Sequence, residues 1–333
     1  MNKSRNRAVF GVLFLILFFF VILILFANFT MKAFQADNSR SLRGKKDIIG
    51  VIEVEGPIME SKKIIELLHV AEREDNIKAI IVRIDSPGGA VGPTQEIYHE
   101  MRRIDDAYNR SLQETNDEEK SNEDKGKNKD EKHSYTKGKP VYASFGSIAA
   151  SGGYYLGAAA RKIYANPGTL TGSIGVIMQF MDLSGLYEFA KVNPNTIKAG
   201  RYKDLGQPNR GLTKEEEGLM GDLLATVHKQ FVDDILLLRK DKIKGDIWDH
   251  AQGQIFSGQE AFEVGLVDSL GSLWSAGREI HQELGLQSEF DLHFIEEKKR
   301  MNLWDILEGI EQVASKLNFQ AVTDGMPRIM FMR

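Results

Sequence analysis

The sequence predicts an α/β domain behind a single N-terminal transmembrane helix. Residues Ala8–Ala27 form an apolar run with no charged side chain. From Ile48 onward, short Ile- and Val-rich runs alternate with segments of helical periodicity. Glycine-rich turns separate them, as in a sheet whose strands are joined by crossover helices.

At about 1.5 Å of rise per residue, the apolar run crosses a hydrocarbon core of roughly 30 Å. A cleaved signal peptide is the rival reading. Its apolar region usually spans only about 7–15 residues, and the following NFTMKAFQA holds no clean small-x-small cleavage site. Lys3, Arg5 and Arg7 precede the run, which keeps the short N-terminus cytoplasmic and puts everything after residue 30 outside. The expected division is therefore residues 1–29 as tip and signal anchor, 30–47 as a polar linker, 48–285 as the main domain and 286–333 as a C-terminal extension.

Within the main domain, Ile48–Ile58 is β-branched and ends at a Gly-Pro turn, which reads as a strand. Ile64, Ile65, Leu67, Leu68 and Ala71 fall at helical spacing between Ser61 and Glu74. Ala79–Ile84 is nearly continuous apolar sequence, as a strand buried on both faces requires. DSPGGAVG then turns the chain into a helix over about 93–105. Residues 113–139 hold no Ala, Val, Leu, Ile, Met or Phe. Such a mixed-charge tract buries too little surface to order itself and reads as a disordered insertion. Strand patterning resumes at Pro140–Ser144, and SIAASGGYYLGAAA reads as a turn entering a small-residue helix. KIYANP, GSIGVIM (172–178) and NTIKAG (195–200) read as further short strands. Thr213 with Glu216 forms a capping box for an amphipathic helix reaching about Arg239.

The 333 residues include no cysteine, which excludes a thiol nucleophile, a Cys-based zinc site and disulfides. A net charge of −4 without a basic face argues against nucleic acid as a partner. Three segments carry candidate chemistry. Ser86-Pro87-Gly88-Gly89 follows a buried strand, and its two glycines let backbone N–H groups point outward, as an oxyanion hole needs. Taken alone it reads more readily as an ordinary strand-to-helix turn. Ala149-Ala150-Ser151-Gly152-Gly153 puts a serine hydroxyl on a tight turn at a helix start, although serine is also a common helix N-cap. Ser147 competes with it but lacks the glycine pair. The third segment is Lys198-Ala199-Gly200-Arg201-Tyr202-Lys203-Asp204. A serine nucleophile needs a base, no histidine falls in these segments, and a desolvated lysine can serve. The residue pattern by itself does not choose between the lysines.

SPGG, AASGGYY, LTGSIGV, IKAGRYKD and FSGQEAFEVGLVDSLG occur in that order over roughly residues 48–280. This arrangement resembles the signal peptide peptidase A family, peptidase family S49, in its shorter Gram-positive form. The resemblance implies a fold like the ClpP/crotonase spiral of ββα units. It implies a serine peptidase with a Ser-Lys dyad, Ser151 as nucleophile and Lys203 as general base. It further implies Ser173 as the residue orienting the lysine, and Gly89 and Gly152 as oxyanion donors. No cofactor or metal is expected. The family assembles as rings, usually octamers in the short forms, in which neighbouring subunits complete each site. The expected partners are therefore the membrane, further copies of the chain, and apolar unfolded peptides such as leftover signal peptides. General quality control of misfolded membrane-proximal protein is the alternative role. The charged tract departs from the family pattern and lengthens a loop that is otherwise short. Two rival readings are a crotonase-type acyl-CoA enzyme, which needs neither nucleophilic serine nor anchor, and a catalytically dead scaffold, against which the intact Ser151–Lys203 pair argues.

Overall fold

The computed structural model describes residues 47–121 and 138–296, together with Phe18, Phe19 and Phe26. The rest of the apolar run, the linker before Asp47, and residues 297–333 lie outside the described residues. Among the described residues no helix is long and apolar enough to cross a membrane.

Strands β1 (Ile48–Glu55), β2 (Ile77–Ser86) and β3 (Val141–Ala150) pair side by side, all parallel. Parallel pairing requires a crossover. Helix α1 (Lys62–Arg73) supplies the first, and α2 (Val91–Ser121) leads out of β2. Then follow α3 (Gly152–Ala158), β4 (Ile163–Ala165), β5 (Leu170–Gly172), α4 (Ser184–Phe189) and α5 (Lys214–Arg239). The order ends with α6 (Ile247–His250), β6 (Ile255–Ser257), α7 (Gly258–Glu263), β7 (Ser269–Leu270), α8 (Leu273–Glu283) and β8 (Leu292–Phe294). The sheet runs β6-β5-β3-β2-β1-β8, with β4 and β7 branching from β3. Among the described strands only β6 pairs antiparallel, on β5. The α/β class is as expected.

Alternation along the strands divides the core in two. Ile52, Val54, Val82, Ile84, Ala143 and Phe145 join the larger cluster, which includes buried residues of α1, α2, α3 and α5. Ile49, Val51, Ala79, Ile81 and Tyr142 face the other way, onto Leu273, Ala276 and Ile280 of α8. Past this helix the same sheet face turns polar: Glu53 and Glu55 are exposed, and Arg83 and Asp85 are half-buried.

The structure differs from the sequence expectation at four places. Helix α2 continues to Ser121 and so enters the charged tract. An anchored helix propagates cheaply through good helix formers such as Glu and Gln. Residues 122–137 lie outside the described residues. The domain continues past residue 285, because β8 pairs with β1 and Ile295 joins the core. Of GSIGVIM only Gly172 lies in a strand, and NTIKAG forms none. Their β-branched residues have no neighbouring strand among the described residues, and Ile177 is 88% exposed and Ile197 fully so. Finally, β3 runs to Ala150 and absorbs what reads as a turn.

Candidate active site

Ser151 sits at the junction of β3 and α3, where its backbone adopts φ 52° and ψ −119°. A residue with a Cβ rarely occupies this region, and the strain is of the order of 1–3 kcal/mol. A strained strand-to-helix turn lifts a nucleophile out of the backbone. Its amide is held by a 2.8 Å bond to Gly172 O, and its carbonyl accepts from Tyr155 N. Ser151 is the helix N-cap, yet its hydroxyl makes no capping bond. The ordinary use of a serine at this position is therefore absent, and Ser151 helps to line a cavity of about 570 Å³. Ser147, the competing serine, is exposed in β3 and does not line that cavity.

The glycine pair of the SPGG turn packs directly on this junction. Gly88 has φ 100°, and a Cβ there would stand 2.7 Å from Gly152 N and 2.9 Å from Ser151 Cβ. A Cβ on Gly89 would meet Ile58 O at 2.1 Å. Only glycine fits at either position. The turn is fixed by Ile58 N donating to Gly88 O at 2.9 Å and Ala90 N donating to Ile58 O at 2.8 Å. These bonds leave the amides of Gly89 and Gly152 without an acceptor among the described residues, and both glycines line the cavity beside Ser151. Two free donors beside a hydroxyl form the geometry that stabilises a tetrahedral oxyanion.

Ser173 lines the same cavity, also with a left-handed backbone at φ 51°. Ser173 N donates to Gln254 O at 2.7 Å, and Gly253 N donates to Ile174 O at 3.0 Å. Residues 252–254 thus hold the wall behind Ser173, a role no local motif announces. Thr94 is a second residue that sequence reasoning missed. It is buried at the cavity edge, and a Cβ on Gly152 would stand 3.0 Å from its Oγ1. Tyr155 and Phe231 supply the apolar wall, with ring centroids 4.6 Å apart. Burial, and the hydrogen bond to Asp234, push the Tyr155 phenol upward.

Lys203 does not line this cavity within the chain. It lies on an exposed turn, its amide bonded to Gly200 O at 3.3 Å. Its neighbour Asp204 is taken by other cations, accepting from Arg210 Nε at 3.2 Å and from Lys198 Nζ. The Arg210 and Lys198 bonds hold the Asp204 carboxyl well below the usual carboxylate range. Arg210 also donates to both oxygens of Glu216, at 2.8 and 2.7 Å, which stitches the loop onto the first turn of α5. Of the two lysines in IKAGRYKD, Lys198 is spent on an ion pair, whereas Lys203 has no side-chain partner among the described residues. The structure thus gathers Ser151, Gly89, Gly152 and Ser173 around one cavity and leaves Lys203 outside it.

The model of peptidase family S49 matches residues 133–287, and a Clp protease model matches residues 39–109. The second span contains β1, α1, β2 and the SPGG turn, so both halves of the site fall inside a matched region. A provisionally named protease of Synechocystis sp. is 36% identical over 67% of this chain and 70% of its own length. The chloroplastic serine protease SPPA of Arabidopsis thaliana is 31% identical over 78% of the chain and 34% of its own length. A provisionally named signal peptide peptidase SppA of Enterococcus faecium is 30% identical over 60% of the chain and 49% of its own length. With these likenesses spread across both halves of the site, the chain belongs to peptidase family S49 and is a serine protease with a ClpP-like α/β domain.

Proposed function

We propose that this protein is a membrane-bound endopeptidase working through a Ser151–Lys203 dyad, with Lys203 supplied to each site by a neighbouring copy. The observation that carries the reading is the Ser151 turn: a strained backbone, a hydroxyl not used for capping, and two free amides on one cavity. Two facts together support the shared site. Lys203 stands away from the Ser151 cavity, and the segment bearing it exposes Ile177, Met181, Leu186, Phe189 and Ile197. That many apolar side chains in solvent call for a covering partner, and a second copy presents the same segment.

Neutral Lys203 removes the proton from Ser151 Oγ as the oxygen attacks the scissile carbonyl. The N–H groups of Gly89 and Gly152 receive the oxyanion, each worth about 3–4 kcal/mol of barrier. Lys203, steadied by Ser173, returns the proton to the leaving amine, and water then opens the acyl-enzyme by the same route. The carboxylate nearest in sequence, Asp204, is already paired with Lys198 and Arg210 and forms no ion pair with Lys203. Tyr155, Phe231 and Val227 in the cavity wall suit aliphatic side chains. Extended apolar peptides, leftover signal peptides among them, fit that wall, and folded proteins cannot reach a recessed serine.

The apolar run Ala8–Ala27 supports anchorage, with the peptidase domain on the extracytoplasmic side. Of this run Phe18, Phe19 and Phe26 are described, and all three are helical and exposed. The test is complementation. Fluorophosphonate should label wild-type Ser151, and Ser151→Ala and Lys203→Ala should each abolish peptidase activity. Co-assembled in equal amounts, the two dead chains should regain activity at about a quarter of the sites, those that draw an intact serine and an intact lysine from different copies. Two dead variants that stay dead on mixing, beside an active wild type, would refute the shared site.

A further inference from the structure

Strand β3 reaches Ser151 through an irregular stretch. Against β2, Ile84 pairs with Phe145 and Ser86 with Ala149. One residue of β2, Asp85, therefore faces three of β3: Gly146, Ser147 and Ile148. Such a bulge leaves backbone groups without ladder partners. Four side chains take them up. Asp85 Oδ1 accepts from Ile148 N at 3.1 Å, and Arg83 Nη1 donates to Phe145 O at 2.6 Å. From the other flank, Thr169 Oγ1 donates to Gly146 O at 2.7 Å and Thr171 Oγ1 to Ala149 O at 2.6 Å. Gly146 makes room for this, since a Cβ there would stand 2.6 Å from Asp85 Cγ.

Resting on the reading of Ser151 as nucleophile, we propose that Asp85, opposed by Thr169, is a positioning residue that fixes the β3 bulge and so aims Ser151 at the amides of Gly89 and Gly152. Asp85 stands one residue before the SPGG turn, and its carboxylate holds the amide three residues before Ser151. One side chain thus ties the oxyanion strand to the nucleophile strand. It does so from the polar face of the sheet, where it is half-buried, so its loss opens no cavity in the apolar core. Catalysis is far more sensitive than folding to a small displacement of a nucleophile.

The test compares Asp85→Ala with Asp85→Asn in the full chain. Asp85→Ala should slow fluorophosphonate labelling of Ser151 and lower kcat by about ten- to a hundredfold, with KM within about twofold. Asp85→Asn keeps an acceptor oxygen and should restore both to within about threefold of wild type. In hydrogen exchange, the Ile148 amide should lose protection in Asp85→Ala and keep it in Asp85→Asn. Thr169→Val, nearly isosteric and lacking only the donor to Gly146 O, should move labelling and kcat in the same direction if the alanine variant fails to fold. Labelling at the wild-type rate in Asp85→Ala, or unchanged Ile148 protection, overturns the proposal, as does an asparagine variant as impaired as alanine. A wild-type chain that is not labelled, while Ile148 protection still follows Asp85, would instead overturn Ser151 as nucleophile and leave the clamp standing.

Discussion

The backbone at Ser151 makes a measurable trade between stability and activity. Ser151→Ala and Ser151→Gly both delete the hydroxyl and should both be inactive, but they differ in the Cβ. At φ 52°, ψ −119° a Cβ costs about 1–3 kcal/mol. Glycine gives back about 0.5–1 kcal/mol through the greater freedom of the unfolded chain. It also forfeits whatever the Cβ contributes by packing. That is less than the roughly 0.8 kcal/mol of a fully buried methylene, because Ser151 is half-buried. The balance favours glycine by about 1 kcal/mol.

Urea denaturation of both variants, in detergent and at equal chain concentration, reads this directly as a shift in midpoint at constant slope. The expected order of stability is Ser151→Gly above Ser151→Ala, with wild type near alanine. A glycine variant less stable than the alanine variant, at equal slopes, would show that the turn stores no strain. The fold would then not be holding a nucleophile in an unfavourable conformation for the sake of chemistry.

Three further outcomes follow from named contacts. Arg239 is fully buried, bonding Asp268 Oδ2 and Gly265 O at 2.8 Å each, and Asp268 also accepts from Ile163 N. Asp268→Ala strands that guanidinium and should cost about 3–5 kcal/mol in urea unfolding. Arg239→Met leaves Asp268 paired with Lys242 and should cost less, and the reverse order would refute the account. Burial alone would raise the Asp268 carboxyl, but the bond and charge of Arg239 outweigh it and hold the group below its ordinary value. This stability is present above that ordinary value and is lost as pH falls through the lowered one. Glu216 is held at about 2 rather than 4.5 by Arg210 and the Thr213 amide. Amide protection at the start of α5 should therefore persist down to about pH 4.5 and be lost toward about 2; loss already at neutral pH would contradict the staple. Lys203→Arg should cost at least about a hundredfold in kcat, since guanidinium is no base at working pH. Lys198→Arg, which keeps its pair with Asp204, should stay near wild type, and equal losses in the two would undo the choice of Lys203.

What the sequence disclosed and what it hid divide along the range of the interactions. Strands β1 and β2 and the Thr213–Glu216 capping box were legible because each rests on neighbours a few residues apart. The strand-to-helix junction at Ser151 was legible only in part: the glycines after it announce the start of α3, whereas the role of the serine came from the family resemblance and not from the local pattern. The strands read into GSIGVIM and NTIKAG fail because a strand needs an edge to pair with, and the described residues offer them none. Ile177 and Ile197 in these segments are left exposed.

The bulge clamp was illegible for a different reason. Asp85 and Ile148 are 63 residues apart, and Thr169 and Gly146 are 23 apart, so no local rule connects them. The choice of base shows the same limit at short range. Lys198 and Lys203 lie in one motif, and nothing in their spacing ranks them. What ranks them is the destination of one carboxylate: Asp204 turns to Lys198 and Arg210, which removes the first lysine from service and leaves the second unpaired. On the proposed mechanism, the base is the lysine left over once the neighbouring carboxylate is spent on the other. The same Arg210 that draws Asp204 away also binds Glu216, so the loop carrying Lys203 is tied to α5, which contributes Val227, His228 and Phe231 to the cavity wall.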